Sequence, residues 1–107
     1  MIAVKQNGYS LKYADNSLKK DREVVLEAVK TNGNSLDFVD TSLKKDKEIT
    51  LNAVKNEGRS LEYADDSFKK DKEIVLAAVI QAGVDAIEFA DKSLKKDKDI
   101  VKASKKK

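Results

Sequence analysis

The stretch Asp71-Lys-Glu-Ile-Val-Leu-Ala-Ala-Val-Ile-Gln-Ala-Gly83 decides the fold, because it is one copy of a pattern that runs through the chain. The preceding copy reads Asp46-Lys-Glu-Ile-Thr-Leu-Asn-Ala-Val-Lys-Asn-Glu-Gly58, and the one before it Asp21-Arg-Glu-Val-Val-Leu-Glu-Ala-Val-Lys-Thr-Asn-Gly33. Gly8, Gly33, Gly58 and Gly83 stand 25 residues apart; Asp21, Asp46 and Asp71 keep that step, and Asp97 follows after 26. The extra residue lies between Gly83 and Phe89, where Gly-Val-Asp-Ala-Ile-Glu-Phe-Ala-Asp replaces Gly-Arg-Ser-Leu-Glu-Tyr-Ala-Asp. A fixed period of this size marks a repeat architecture. Full units run over 21–45, 46–70 and 71–96, with a partial unit at 1–20 and a truncated one, ending in a lysine tail, at 97–107. The chain is read as one domain.

The first half of each unit reads as a helix. Val24, Val25, Ala28 and Val29 fall at i, i+1, i+4 and i+5, one face at 3.6 residues per turn, and Leu26 widens it. Asp21 stands where an N-cap accepts from the free amides, Glu23 adds negative charge to the first turn, and Gly33 is expected to turn left-handed and stop the helix. Asn32-Gly33 is also a hairpin signal, but the flanking residues do not alternate as a strand would require. The second half, Ser35–Lys45, places Leu36, Val39 and Leu43 at i, i+3, i+7 beside Phe38, which fits a helix of about two turns capped by Ser35, part of which a 3₁₀ turn could replace.

Each such unit has too little apolar surface to stand alone, so the units are expected to stack, sharing one core. The fold expectation is therefore all-α: a solenoid, or superhelical array, of short two-helix repeats of about 25 residues. Leu51, in a central unit, is placed in that core, as are the aromatics Tyr13, Phe38, Tyr63 and Phe89, with the tyrosine hydroxyls at the rim. A leucine-rich-type α/β repeat is the structural alternative, but its Leu-x-x-Leu-x-Leu pattern is missing.

The units, best seen in Asp71-Lys-Glu-Ile-Val-Leu-Ala-Ala-Val79 followed by Gly83 and in Leu61-Glu-Tyr-Ala64, resemble a short microbial tandem repeat known as domain of unknown function 4116. The resemblance covers essentially the whole chain. It departs in the fourth unit, at the inserted residue and at Ile80, which takes a slot filled by Lys in the earlier units. It implies a helical-repeat fold; the family has no established activity, so no catalytic residue carries over.

Composition removes whole classes of chemistry. There is no Cys, His, Pro or Trp, so thiol chemistry, structural zinc, haem ligation by His and His-dependent triads are excluded. The expectation is no cofactor, no metal and no enzymatic activity. The capping aspartates with Glu23, Glu48, Glu73 and Asp99 recur at one phase, whereas an active site is normally built once. No loop has the dense alternating oxygens of a calcium site, although Asp65, Asp66 and Asp85 offer carboxylates. The net charge of +3 is matched by Lys105, Lys106 and Lys107, leaving a balanced body that argues against nucleic acid. The start lacks a signal peptide and no run is long enough to span a membrane, so a soluble, by default cytoplasmic, protein is expected.

Two sets of surface positions are candidates for function. The repeats disagree just after each glycine, at Tyr9, Asn34, Arg59 and Val84, and shortly before it, at Gln6, Thr31, Asn56 and Gln81. Repeat proteins commonly recognise partners through variable side chains on a constant scaffold, so these are candidate contacts for a protein partner and the leading role is an interaction or scaffold module. The alternative is polyanion binding, to nucleic acid or an acidic membrane surface, through a ladder of lysine pairs: Lys19, Lys20, Lys44, Lys45, Lys69, Lys70, Lys95 and Lys96. The open N-terminal edge of the array adds an expectation of self-association through the array ends.

Overall fold

The computed structural model describes residues 19–105. Every regular element among them is helical. Helix α1 spans Arg22–Thr31, and a 3₁₀ helix, Gly33–Phe38, leads to the short α2, Thr41–Lys44. The next unit repeats this order with α3 (Lys47–Asn56), a 3₁₀ helix (Gly58–Tyr63) and α4 (Asp66–Lys69). The third has α5 (Lys72–Ala82), α6 (Val84–Ile87) and α7 (Lys92–Lys95), and α8 (Lys98–Ser104) ends the described chain.

The long helices start where the aspartates allow it. Asp21 Oδ1 accepts from the amides of Glu23 and Val24 at 3.1 and 3.3 Å, and Asp71 and Asp97 repeat this on Glu73 and Ile74 and on Asp99 and Ile100. Asp46 accepts from Ile49 at 3.2 Å. Each helix then buries the same four positions: Val24, Val25, Ala28 and Val29; Ile49, Thr50, Ala53 and Val54; Ile74, Val75, Ala78 and Val79. Those stripes pack α1 on α3, α3 on α5 and α5 on α8, while each 3₁₀ helix packs on its own long helix and on the next. Leu36 and Leu61, fully buried, carry the 3₁₀ helices into the same core.

Three expectations need correction. The second half of the unit is two pieces, not one helix begun by Ser35. Ser35 is buried inside the 3₁₀ helix, which Asn32 caps through Asn34 N, and the second helix starts at Asp40. Asp40 wins as a cap because it takes both the amide and the hydroxyl of Ser42, at 3.0 and 2.6 Å; Asp65–Ser67 and Asp91–Ser93 do the same.

Gly33 and Gly58 are not left-handed: among the described residues only Gly83 has positive φ, at 66°. The preceding residues Asn32 and Glu57 end their helices in extended backbone instead. The two glycines are required by proximity. A Cβ on Gly33 would lie 2.2 Å from the carbonyl oxygen of Ala53, and one on Gly58 2.2 Å from that of Ala78, both in the following unit. The insertion in the third full unit changes the turn: α5 runs to Ala82, Gly83 turns the chain with φ 66° and ψ −141°, and a short α-helix replaces the 3₁₀ helix.

Leu51 is only half-buried, at the border of the buried stripe. The aromatics Phe38, Tyr63 and Phe89 pack on the core but are also only partly covered, and Tyr13 lies outside the described residues. Removing side-chain volume should therefore cost most at the stripe itself. Ile74→Ala is expected to lose about 2–5 kcal/mol through an unfilled cavity. Leu51→Ala should lose about 1–2 kcal/mol, below the transfer value of a fully buried leucine. Urea unfolding of the two variants checks the order, and equal losses would contradict the placement of the core.

Candidate functional site

Stacking at one period lays equivalent side chains in rows, and three such rows carry the polar chemistry of the molecule. The first runs along the helix starts. The residue after Asp21, Asp46 and Asp71 is a cation, and it reaches into the next unit. Arg22 Nε is 2.8 Å from Asp46 and its terminal nitrogen bonds Glu48. Lys47 Nζ lies 3.0 and 2.8 Å from Asp71 and Glu73, and Lys72 Nζ lies 3.3 and 2.7 Å from Asp97 and Asp99. Each cation thus clamps the capping Asp and the first-turn acid of the following helix. Sequence reasoning gave those acids a capping role but missed the clamps. The signal was present as a basic residue directly after the Asp that opens each long helix.

The clamps and caps fix the charge state of the row. The Arg22 hydrogen bond holds Asp46 below the usual carboxylate range. Partial desolvation pushes Asp71 and Asp97 upward, but the hydrogen bonds outweigh it: Lys47 and the Ile74 amide for Asp71, the Ile100 amide and Lys72 for Asp97. Lys47 and Lys72 are raised by their hydrogen bonds to Glu73 and Asp71 and to Asp99 and Asp97. A carboxylate stabilised as an anion beside a cation is the reverse of a general acid kept protonated for catalysis.

The second row holds the lysine pairs. Asp40, Asp65 and Asp91 are lowered first by the serine hydroxyls they accept from, and also by Lys20, Lys45 and Lys70 of the preceding unit. Lys69 lies 3.8 Å from Asp66. The backbone carbonyls of Lys19 and Lys69 accept from the amides of Asp40 and Asp91 at 3.2 and 2.9 Å, and that of Lys44 accepts from the Thr50 hydroxyl at 3.5 Å. Lys95 and Lys96 are exposed at the last described rung.

The third row follows the glycine turns, where two kinds of variable residue separate. Asn56 Oδ1 accepts from the amide of Gly33 at 2.6 Å and its Nδ2 donates to the carbonyl of Lys30 at 3.0 Å; Gln81 Oε1 accepts from the amide of Gly58 at 2.6 Å. These two side chains are committed to capping the previous unit. Thr31 turns its hydroxyl back onto the carbonyl of Glu27 at 3.0 Å. By contrast, Asn34 and Arg59 line one cleft of about 200 Å³ with Glu57, Glu62 and Tyr63. Val84 is 62% exposed. Gln6 and Tyr9 lie outside the described residues.

Among the described residues no three Asp or Glu side chains gather as a metal site would need, and no helix is long and apolar enough to cross a membrane. The lowered carboxyls give the stack a definite acid response. They stay ionised in the folded chain below the pH at which the unfolded chain, with carboxyl pKa values near ~4, takes up protons. Their stabilisation is complete above that value and is lost as pH falls through the lowered folded values. Melting temperature should be level from neutral pH to about 5 and fall below about 4, with a shallower fall in Asp46→Asn. A melting temperature independent of pH through that range would contradict the clamps.

No curated protein and no solved structure matches the chain. One family pattern does, twice in succession, over residues 1–44 and 46–92. Two adjacent matches that together span most of the sequence settle its kinship: the chain belongs to the family described as Domain of unknown function (DUF4116).

Proposed function

We propose that the chain is a protein-interaction module without catalytic activity, a short solenoid whose constant side chains hold the stack and whose variable ones meet a partner. The observation that carries this reading is the cleft at the glycine row. Asn34 and Arg59, which differ between units, line it together, although they come from different repeats. Most residues that agree between units are occupied in caps, clamps and core, which leaves variable ones such as Asn34 and Arg59 for recognition.

The cleft's size supports a protein partner. At about 200 Å³ it is smaller than the ~300–1,000 Å³ of a small-molecule pocket and suits one side chain of a bound segment. Glu57, Glu62 and Arg59 offer both charges and Tyr63 a ring, a mixture fitted to a polar or charged side chain. The solenoid part of the reading is supported by the serial packing of α1, α3, α5 and α8 and by extents of 42 × 24 × 17 Å. The lysine ladder stands outside it, because acids share its row: Asp66 lies 3.8 Å from Lys69, and Asp40, Asp65 and Asp91 feel the charge of Lys20, Lys45 and Lys70.

Affinity capture from source cells in high salt, with the wild type and with Arg59→Glu combined with Glu62→Lys, tests the reading. Both side chains are exposed, so the double variant should keep its circular dichroism and melting temperature while losing the captured partner. Capture of the same partner by the folded variant, or none by the wild type, would reject the cleft as the contact.

A further inference from the structure

The charge of the chain is unevenly placed. Residues 92–107 carry eight lysines against two aspartates, so this stretch is net +6 in a chain of net +3, and the residues before it are together net −3. Both aspartates, Asp97 and Asp99, are already held by Lys72. Lys95, Lys96, Lys98, Lys102 and Lys105 are exposed, and none of them joins an ion pair among the described residues. In the earlier units the equivalents of Lys98 are Arg22, Lys47 and Lys72, each closed on two carboxylates.

Helix α8 also breaks the stacking pattern. Lys105 stands where Val29, Val54 and Val79 are fully buried, and Lys102 where the other units have Leu26, Leu51 and Leu76. Ser104 replaces Ala28, Ala53 and Ala78 and turns its hydroxyl onto the carbonyl of Val101 at 2.7 Å. Covering this face with another repeat would strip two ammonium groups of water.

The large hydrophobics that stand exposed among the described residues belong to the adjoining unit, whose α5 packs on α8. Ile80 and Val84 are each 62% exposed. Ile80 takes the position of Lys30 and Lys55, and Val84 that of Asn34 and Arg59. Val84 and Lys105 line one open hollow of about 400 Å³, with Asp85 and Ser104.

We propose that this end of the molecule docks on an anionic lipid surface, with the α7–α8 lysines at the phosphate headgroups and Val84 and Ile80 entering the interface. The pairing of unpartnered lysines with exposed aliphatic side chains separates this from a nucleic-acid site. Phosphate backbones reward more cations and bases reward aromatic platforms. Here cationic and polar positions have become aliphatic, and residues 92–107 contain no aromatic. A bilayer rewards both features, lysines through its surface potential and apolar side chains through insertion at the headgroup boundary. The inference goes beyond the protein-contact cleft and does not depend on it.

Vesicle flotation tests it with the full chain, using phosphatidylcholine vesicles with and without phosphatidylserine, and a DNA duplex as comparison. The chain should float only with the anionic vesicles, and each of Lys96→Gln, Lys98→Gln and Lys102→Gln should lower partitioning about fivefold, the equivalent of about 1 kcal/mol per surface lysine. Ile80→Lys with Val84→Arg restores the residue types of the earlier units and adds two charges. It should weaken flotation if the aliphatic side chains insert. Unchanged or stronger flotation of that variant, absence of flotation, or binding to the duplex in preference to the vesicles would overturn the proposal.

Discussion

The stack rests on two places where a backbone lies directly on its neighbour. At Gly33 and Gly58 the turn of one unit sits so close to the carbonyl of Ala53 or Ala78 that no side chain fits between them. Such contact leaves a turn amide without water, and the following unit supplies the missing partner: Asn56 for Gly33 and Gln81 for Gly58. Shape and polarity are satisfied by the same neighbour. Because both requirements are met only at one register, the contact positions every other row of side chains.

From that register the charged rows follow. Arg22, Lys47 and Lys72 reach acids 24 to 27 residues ahead because the helix starts are held side by side. Such pairs are half-exposed and individually weak. Their effect is one of specificity: a slip by one helical turn would move every cation away from its acid at once.

Much of this was legible in the sequence, and the parts that were not share one cause. The period, the aspartate caps and the four-position apolar stripe depend on residues near each other in the chain, so Asp21, Val24, Val25, Ala28 and Val29 could be read locally. The reason for Gly33 could not, because the atom that forbids a side chain belongs to Ala53. Asn56 looked like a free variable position because its partners, Gly33 and Lys30, lie in another unit. Asp40, with Ser42 two residues on, was a local signal for a second helix start that outweighs Ser35. Of the candidate site, the residues after the glycines were readable as variable, but that Asn34 and Arg59 share a cleft depended on the stacking direction.

The most direct test of the interlock is equilibrium unfolding of Gly33→Ala and Gly58→Ala. Alanine is a better helix former and restricts the unfolded chain, so at an unconstrained turn with negative φ it should be neutral or stabilising by up to about 1 kcal/mol. With a carbonyl 2.2 Å from the added carbon, each variant is instead expected to lose at least about 1–3 kcal/mol as the units are forced apart. Two variants as stable as the parent would mean that these turns do not rest on their neighbours, and the register would have to be held by something else.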